Sequence, residues 1–550
     1  MLRLVLRLLP ALSAVSAFPQ EKRADGIVFE GKPPKLDHDV PLFALGDRVK
    51  FPDGRFREIL KSAAPSKNLK LKKTEDGSYK YYDGDLLIGL YDNEFGETAV
   101  FPNLETLAPG DIKVNLNVVA AWAKDNAVIP ADDTKVSIVI GSRLSGAQQK
   151  VNQKPGLPGT YLLEGAVRRV IELPGAAHPV CGPGSQASFG FGVDGAIKSL
   201  THRWNPAKRE GPLFRALDPD SVTKHIVAQF KAAKVAAGVT VHAVEFCYFD
   251  SAAKYLQPVF RFNATVASGT GAGRSRVVGY VPATGAAFEG LPPVLERPGA
   301  QEAFPTVASP ANASLARRAA DDADLAGRQS GPRVLVGRYL MNHDGLTDYF
   351  VKEASRFWDG LLSGADGVFV NAQYYWDDPT TYADPTADSY LNAMHLGFSD
   401  GHGNHHLSET DGDLPGKGVV FVPNGLASKG YGSGSGGRLV YWILAECSVI
   451  PSPFDFAAAD AHLAYDPWWP VFNGLRAVVG FRDLASVDPP LMKKAGKWLG
   501  QGSSVVHGWM KVMLGAGPTS AVTVCGHAGD HVFLTSGIPR PDCLQTWWYE

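Results

Sequence analysis

The apolar run RLVYWILAEC, residues 438–447, ends in a cysteine and decides the fold expected for this chain. A continuous apolar run of this length predicts a strand buried on both faces, as in a parallel sheet covered by helices. Upstream, the run AMHLGF at residues 393–398 leads into SDGHG at residues 399–403. Ligand sites of parallel sheets lie beyond the carboxyl ends of their strands. The two runs therefore predict that His402 and Cys447 lie at one edge of the same sheet.

The rest of the C-terminal half, residues 333–550, has a matching pattern. Further strands are predicted at 333–340 and 475–481, and helices at 346–361 and 489–499. Buried strands that alternate with helices are typical of α/β domains. We therefore predict a three-layer α/β domain with a mostly parallel sheet.

The N-terminal half, residues 24–291, has an α+β pattern. Period-two alternation predicts strands at 112–118 and 136–140. A capping sequence at 218–222 begins an amphipathic helix, and three strand-like runs follow between residues 239 and 281. One helix followed by three antiparallel strands resembles the PepSY-like and cystatin-like modules of propeptides and inhibitory domains. The resemblance implies that this half acts as a prodomain.

Several segments predict secretion and processing. Residues 1–17 have a basic start, a short apolar core and small residues at the end, which is the pattern of a signal peptide. Residues 18–23 then predict a short propeptide that ends at the dibasic site Arg23. Residues 292–332 are rich in Pro, Ala, Ser and Arg, so they predict an exposed linker, with a second dibasic site at Arg318. We therefore expect a secreted, extracellular protein.

Charge and hydropathy limit the partners. The net charge is −2 and basic residues are dispersed, so a nucleic-acid partner is not expected. After the signal sequence, no apolar stretch reaches the roughly 18 to 20 residues of a spanning helix, so stable membrane insertion is not expected. Sequons at Asn263 and Asn312 predict glycosylation. No cofactor is predicted, and the oligomeric state stays open.

The cysteine count leaves one thiol over. In a secreted chain, Cys181 with Cys247 and Cys525 with Cys543 are candidate disulfide pairs, although sequence alone does not fix connectivity. By that pairing Cys447 is the free thiol. A leftover cysteine is more often a buried apolar residue than a nucleophile.

His402 and Cys447 supply the groups of a cysteine hydrolase. A thiol must become a thiolate to attack, so it needs a nearby base. The oxyanion that forms during acyl transfer needs N–H donors. The amides of Gly403 and Cys447 are candidate donors, because glycine lets the backbone approach a substrate closely.

These motifs resemble those of the caspase-like cysteine peptidases of clan CD, which include gingipains, legumains and metacaspases. In that family a His-Gly pair and then a cysteine follow successive apolar strands. The resemblance implies that His402 is the catalytic histidine, Cys447 the nucleophile and Gly403 the oxyanion-hole glycine. The sequence AEC at 445–447 departs from the usual residue order before the cysteine, and no glycine follows it shortly afterwards.

The C-terminal half also resembles an uncharacterised family of secreted fungal and bacterial proteins. The similarity lies in SDGHGN at 399–404, ILAEC at 443–447 and WPVFNGLRAVVGF at 469–481. This resemblance spans most of residues 333–515 and implies no activity by itself.

Three functional hypotheses follow. The first is a secreted caspase-like cysteine peptidase or amide hydrolase, made as a zymogen, that acts on a peptide or protein substrate. The second is a non-catalytic secreted binding or effector protein on the same fold, with His402 in an ordinary turn and Cys447 structural. The third is metal-dependent hydrolysis by a cluster of His and Asp side chains: Asp400, His402, His405, His406 and Asp411.

Overall fold

The computed structural model describes most of the chain, with short gaps. The described ranges are 22–24, 26–64, 69–235, 238–267, 274–296, 298–299, 302–308, 313–330, 333–341, 347–365, 367–383, 386–410, 419–421, 429–432, 437–485, 488–517 and 521–550. The predicted signal peptide, Asn312 and Asp411 lie outside the described residues.

Helices lie in both halves of the chain. Their bounds are α1 Asp53–Ala63, α2 Leu116–Ala123, α3 Pro219–Ala232, α4 Ala313–Ser330, α5 Thr347–Gly364, α6 Pro379–Tyr382, α7 Pro489–Gly500 and α8 Val505–Met513. No helix among the described residues is long and apolar enough to cross a membrane.

Strands make up most of the N-terminal half and the centre of the C-terminal half. The first sixteen are β1 Lys22–Ala24, β2 Ile27–Phe29, β3 Val40–Leu45, β4 Leu69–Lys73, β5 Tyr79–Asp83, β6 Leu86–Asp92, β7 Glu97–Val100, β8 Lys135–Lys150, β9 Gly159–Leu173, β10 Ala176–Cys181, β11 Gln186–Phe191, β12 Ile197–Arg203, β13 Ala207–Phe214, β14 Val239–Asp250, β15 Tyr255–Ala267 and β16 Arg274–Pro282. The others are β17 Thr306–Val307, β18 Val334–Leu340, β19 Phe369–Trp376, β20 Leu396–Asp400, β21 Gly403–Asn404, β22 Leu407–Glu409, β23 Val419–Phe421, β24 Tyr441–Ala445, β25 Ala477–Gly480, β26 Val522–Cys525 and β27 Cys543–Tyr549.

The C-terminal half is built on a mainly parallel sheet. Its order is β17-β19-β18-β20-β24-β25, all parallel, followed by antiparallel β26 and β27. Both faces are covered. On one face α5 packs on the sheet, where the ring of Phe357 stacks on that of Phe398 at 4.6 Å between centroids. On the other face Trp442 and Leu444 of β24 pack in a second core with Trp468. The predicted α/β fold class is confirmed, and the sheet as a whole is large and mixed.

Most elements of the C-terminal half agree with those predicted from the sequence. The strands predicted around 333–340, 393–398, 439–445 and 475–481 are β18, β20, β24 and β25, and the two predicted helices are α5 and α7. The predictions omitted β19, because Asn371 and Gln373 interrupt its apolar pattern. Gln373 is nevertheless buried, and its Oε1 accepts a hydrogen bond of 2.7 Å from the Tyr339 hydroxyl.

The predicted helix and three strands before residue 291 are α3, β14, β15 and β16. β15 lies between β14 and β16 and is antiparallel to both. Asp218 caps α3, since its Oδ1 accepts from the Ser221 amide at 3.0 Å. The buried side chains Val222, Ile226 and Phe230 form the apolar face of α3. The predicted order of elements is therefore confirmed.

The strand predicted at 112–118 is wrong, because α2 begins at Leu116. The Oδ1 atom of Asn115 accepts a hydrogen bond from the Val118 amide at 3.3 Å, so Asn115 acts as the helix N-cap. An alternating pattern that contains a good capping residue is ambiguous between a strand and the first turn of a helix.

The segment 292–332 is not an unstructured linker throughout. It contains the short strand β17, which pairs with β19, and the 18-residue helix α4. Alanine and charged residues in alternation favour a helix. Ala313, Ala316 and Ala320 are buried, so α4 packs on the domain through a face of small side chains.

One sheet connects the two halves of the chain. β27, at the end of the sequence, is antiparallel to β8 from Cys543↔Lys150 to Tyr549↔Leu144. An ion-pair cluster lies between the halves, in which Lys497 Nζ is 2.9 Å from Asp92 and 2.8 Å from Glu94. The halves are thus joined by backbone hydrogen bonds as well as by side-chain contacts.

Candidate active site

His402 and Cys447 follow two neighbouring parallel strands at matching positions. In the register of β20 and β24, Asp400 is opposite Ala445. His402 and Cys447 each stand two residues beyond that pair. Because paired strands lie about 4.8 Å apart, the chain leaves the sheet at adjacent points. The predicted placement of both residues at one sheet edge agrees with this register.

Gly403 lies against the backbone of Cys447. A Cβ atom built on Gly403 would stand 2.9 Å from the Cys447 carbonyl oxygen and 3.0 Å from the Glu446 Cβ. Any side chain at this position would therefore collide with the loop after β24. The absence of a side chain at residue 403 lets the loops after the two strands touch.

The Cys447 thiol is enclosed. Its residue is 3% exposed, and the Ala485 amide donates a hydrogen bond to Sγ at 3.2 Å. Burial raises the pKa of Cys447 to about 12, although the Ala485 amide opposes this, and the carboxylates of Glu446, Asp483 and Asp400 raise it further. The thiol is consequently protonated at neutral pH and is not a nucleophile in this conformation.

His402 is enclosed as well and contacts the N-terminal half. Its residue is 1% exposed, and the ring of Phe350 meets it edge-on at 5.5 Å between centroids. Its Nδ1 atom lies 3.4 Å from the hydroxyl of Ser275 in β16. Sequence reasoning did not identify Ser275, which is 127 residues away from His402 along the chain.

Buried carboxyl groups surround the sheet edge. Burial raises the pKa of Asp400 well above its ordinary value, and Glu353 and Glu446 add to the effect. Burial likewise raises the pKa of Glu446. Burial raises the pKa of Glu353, on α5, to about 8, although its Oε1 accepts a 2.7 Å hydrogen bond from the Asp488 amide. Among the described residues, neither Asp400 nor Glu446 has a cationic side chain within ion-pair distance.

The other histidines of the predicted metal cluster have different surroundings. His405 is exposed, whereas His406 is buried and its Nε2 is 2.9 Å from the Leu463 carbonyl oxygen. Burial lowers the pKa of His406 to about 4. Over the described ranges, no three His, Cys, Asp or Glu side chains are grouped so that they could hold a metal ion.

One of the two predicted disulfide pairs is present in the structure. Cys181 and Cys247 form a disulfide with a Cα–Cα distance of 6.2 Å. Cys525 and Cys543 are free thiols, so the second candidate pair is not formed in the structure. The register explains this, because Cys525 is opposite Gln545 and therefore diagonal to Cys543. Diagonal neighbours lie about 7–8 Å apart, beyond the usual span of a disulfide.

The predicted modification sites lie mainly in regular structure. Arg23 is in β1, opposite Val28 of β2, and Arg318 is in α4. Cleavage after Arg318 would require local unfolding of the helix, since proteolytic nicking favours exposed loops. Asn263 is half-buried in β15, between two other strands, rather than in a surface loop.

Comparison with known proteins adds little. No family model matches the chain, and no curated protein is similar enough to count as a match. The crystal structure of an uncharacterized protein from Eubacterium rectale is similar over 49% of this chain and 94% of that chain, with 10% identity and a TM-score of 0.29. A TM-score this low carries no argument about fold or function. The class of this protein is therefore defined by its own architecture: an α/β protein with a large mixed sheet.

Proposed function

We propose that this protein is a secreted cysteine-dependent peptidase or amide hydrolase with a caspase-like catalytic domain, and that the structure is its resting form. Cys447 attacks the scissile carbonyl, and His402 transfers the proton to the leaving amine. The amides of Gly403 and Cys447 bind the oxyanion. The observation that carries the proposal is the register of β20 and β24, which puts the His-Gly pair and the cysteine at matching positions.

The architecture supports the caspase-like assignment. A parallel sheet covered on both faces, with His-Gly after one strand and a cysteine after its neighbour, is what the resemblance requires. A Cβ atom on Gly403 would touch the Cys447 carbonyl oxygen, so the two backbone segments that carry the candidate oxyanion donors lie side by side. The helix α3 and the three strands that follow it, β14 to β16, have the element order of PepSY-like or cystatin-like modules. In this proposal they act as an inhibitory module, since their last strand contacts His402.

Thiol labelling and substrate hydrolysis test the proposal together. The protein, intact and after cleavage at Arg318, is treated with iodoacetamide and with a mixture of fluorogenic peptides. We expect peptide hydrolysis and alkylation of Cys447 to be faster after cleavage than in the intact chain. Cys447→Ala and His402→Ala should abolish hydrolysis, whereas Cys525→Ala, a matched change at another buried thiol, should not. Activity that survives in Cys447→Ala would refute the assignment.

A second function is favoured by the enclosed thiol. With a pKa of about 12 and 3% exposure, Cys447 has the properties of a structural cysteine. A non-catalytic secreted binding or effector protein on this fold would need neither a thiolate nor a base. This alternative predicts that Cys447→Ala and His402→Ala both fold and keep the biological activity, and that no treatment produces peptide hydrolysis.

A further inference from the structure

The first residues of β16 lie next to the candidate catalytic dyad, which consists of His402 and Cys447. Ser275 is 3% exposed, and its hydroxyl lies 3.4 Å from Nδ1 of His402. The next residue, Arg276, donates its amide to the carbonyl oxygen of Ala485 at 3.4 Å. The Ala485 amide in turn donates to the Cys447 sulfur at 3.2 Å. Two consecutive residues of the N-terminal half therefore contact His402 directly and Cys447 through one intermediate residue.

The strand that makes this contact is fully paired with its neighbour. β16 pairs with β15 along its whole length, from Val259↔Pro282 to Ala267↔Arg274. Ser275 and Arg276 therefore cannot withdraw without displacement of the sheet edge to which they belong. The N-terminal half is also paired to the C-terminal half through β8 and β27. A cut at Arg318 would leave those backbone hydrogen bonds in place.

We propose that Ser275 and Arg276 form an autoinhibitory latch, which keeps the Cys447 thiol enclosed and His402 fixed. Activation then consists of displacing this edge of β16 while the two halves stay associated, not of releasing the N-terminal half. The proposal rests on the proposed hydrolase function for its biological meaning. Its physical content, which is control of access to the thiol, can be measured without any substrate.

The substitution Ser275→Ala tests the latch. The readout is the alkylation rate of Cys447 by iodoacetamide in the intact chain, followed by mass spectrometry of the peptide that contains it. Loss of one hydrogen bond that holds the closed state should raise this rate roughly five- to tenfold. Peptide hydrolysis should rise by a similar factor.

Two controls separate latch opening from general loosening. Thr223→Ala removes a hydroxyl that donates to the Pro219 carbonyl at 3.0 Å in α3, within the same helix and three-strand unit, and it should leave Cys447 alkylation unchanged. Cys525 is a second buried thiol in the same digest, and its alkylation should stay slow in every variant. Equal acceleration at Cys525 would mean global destabilisation and would overturn the inference.

The outcomes for latch and function differ. Faster alkylation in Ser275→Ala without any hydrolysis would support the latch and refute the hydrolase. Hydrolysis at equal rates in Ser275→Ala and the natural sequence would retain the hydrolase and overturn the latch. Slower alkylation would also overturn it, since Ser275 would then be a positioning residue that orients His402. After cleavage at Arg318, size-exclusion chromatography should show both fragments in one peak, and separation of the fragments would contradict the latch mechanism.

Discussion

Glu353 should make the stability of this protein fall as pH rises. Its carboxyl group is buried on α5 beside the Asp488 amide, and burial raises its pKa from 4.5 to about 8. A raised pKa means that the folded state holds a proton that the unfolded state has lost. The stability that this bound proton contributes is fully present below pH 4.5, the ordinary pKa of the group. It is lost progressively as the pH rises to about 8, the pKa in the folded state.

The size of this loss of stability follows from the difference between the unfolded and folded pKa of Glu353. At about 1.4 kcal/mol for each pH unit, the difference between 4.5 and about 8 gives an upper bound of about 5 kcal/mol. Asp488 and Asp400 also lie near this carboxyl group and titrate with it, so part of the effect is shared. We therefore expect Glu353→Gln to be more stable than the natural sequence by about 2–4 kcal/mol at pH 8 and nearly equal to it at pH 4.5.

Urea unfolding at pH 4.5, 6, 7 and 8.5 measures this difference. Glutamine retains the oxygen that accepts from the Asp488 amide, so the substitution removes the charge and keeps the hydrogen bond. Glu58→Gln, at an exposed position of α1, is the control and should follow the natural sequence at every pH. If Glu353→Gln and the natural sequence lose stability in parallel between pH 4.5 and 8.5, Glu353 is not the buried titrating group inferred above.

Three further substitutions test the packing around the site and between the halves, each by urea unfolding. Lys497→Met leaves Asp92 buried without its cation and should cost about 3–5 kcal/mol, whereas Lys493→Met removes an exposed pair and should cost less than about 1 kcal/mol. Gly403→Ala should destabilise by about 1–3 kcal/mol and abolish any hydrolysis, because its Cβ would collide with the Cys447 carbonyl, while Gly54→Ala, in open space on α1, should stabilise by about 0.5–1 kcal/mol. Replacing Cys181 and Cys247 together by alanine should cost about 2–4 kcal/mol, since the disulfide closes a long loop of the unfolded chain, and no loss would show that the bond does not form.

Local sequence patterns predicted those parts of the structure in which the secondary structure of a segment depends mainly on its own residues. β24 is uniformly apolar and buried, so its sequence allows little else, and the cap at Asp218 places the start of α3. That residues 402 and 447 follow neighbouring strand ends was also predictable, because the carboxyl ends of parallel strands share an edge.

Pairings between distant segments were not predictable in the same way. The pairing of β27 with β8 joins residues about 400 positions apart, and nothing in either strand specifies its partner. The contact of Ser275 with His402 depends on how the two halves pack together. Glu353 looked like an ordinary polar residue of an amphipathic helix, and its burial follows from the placement of α7 against α5.

The surroundings of Cys447 indicate what activation must change. Burial is the largest cause of its raised pKa, and the carboxylates of Glu446, Asp483 and Asp400 contribute less. Removing one of these acidic groups would therefore leave the thiol protonated, whereas admitting water to the sulfur would remove the main obstacle to a thiolate. The residues that exclude water from the dyad thus have more control over reactivity than those that carry charge beside it. In the proposed latch Ser275 and Arg276 are such residues, so a change in the N-terminal half should alter the reactivity of a cysteine in the C-terminal half.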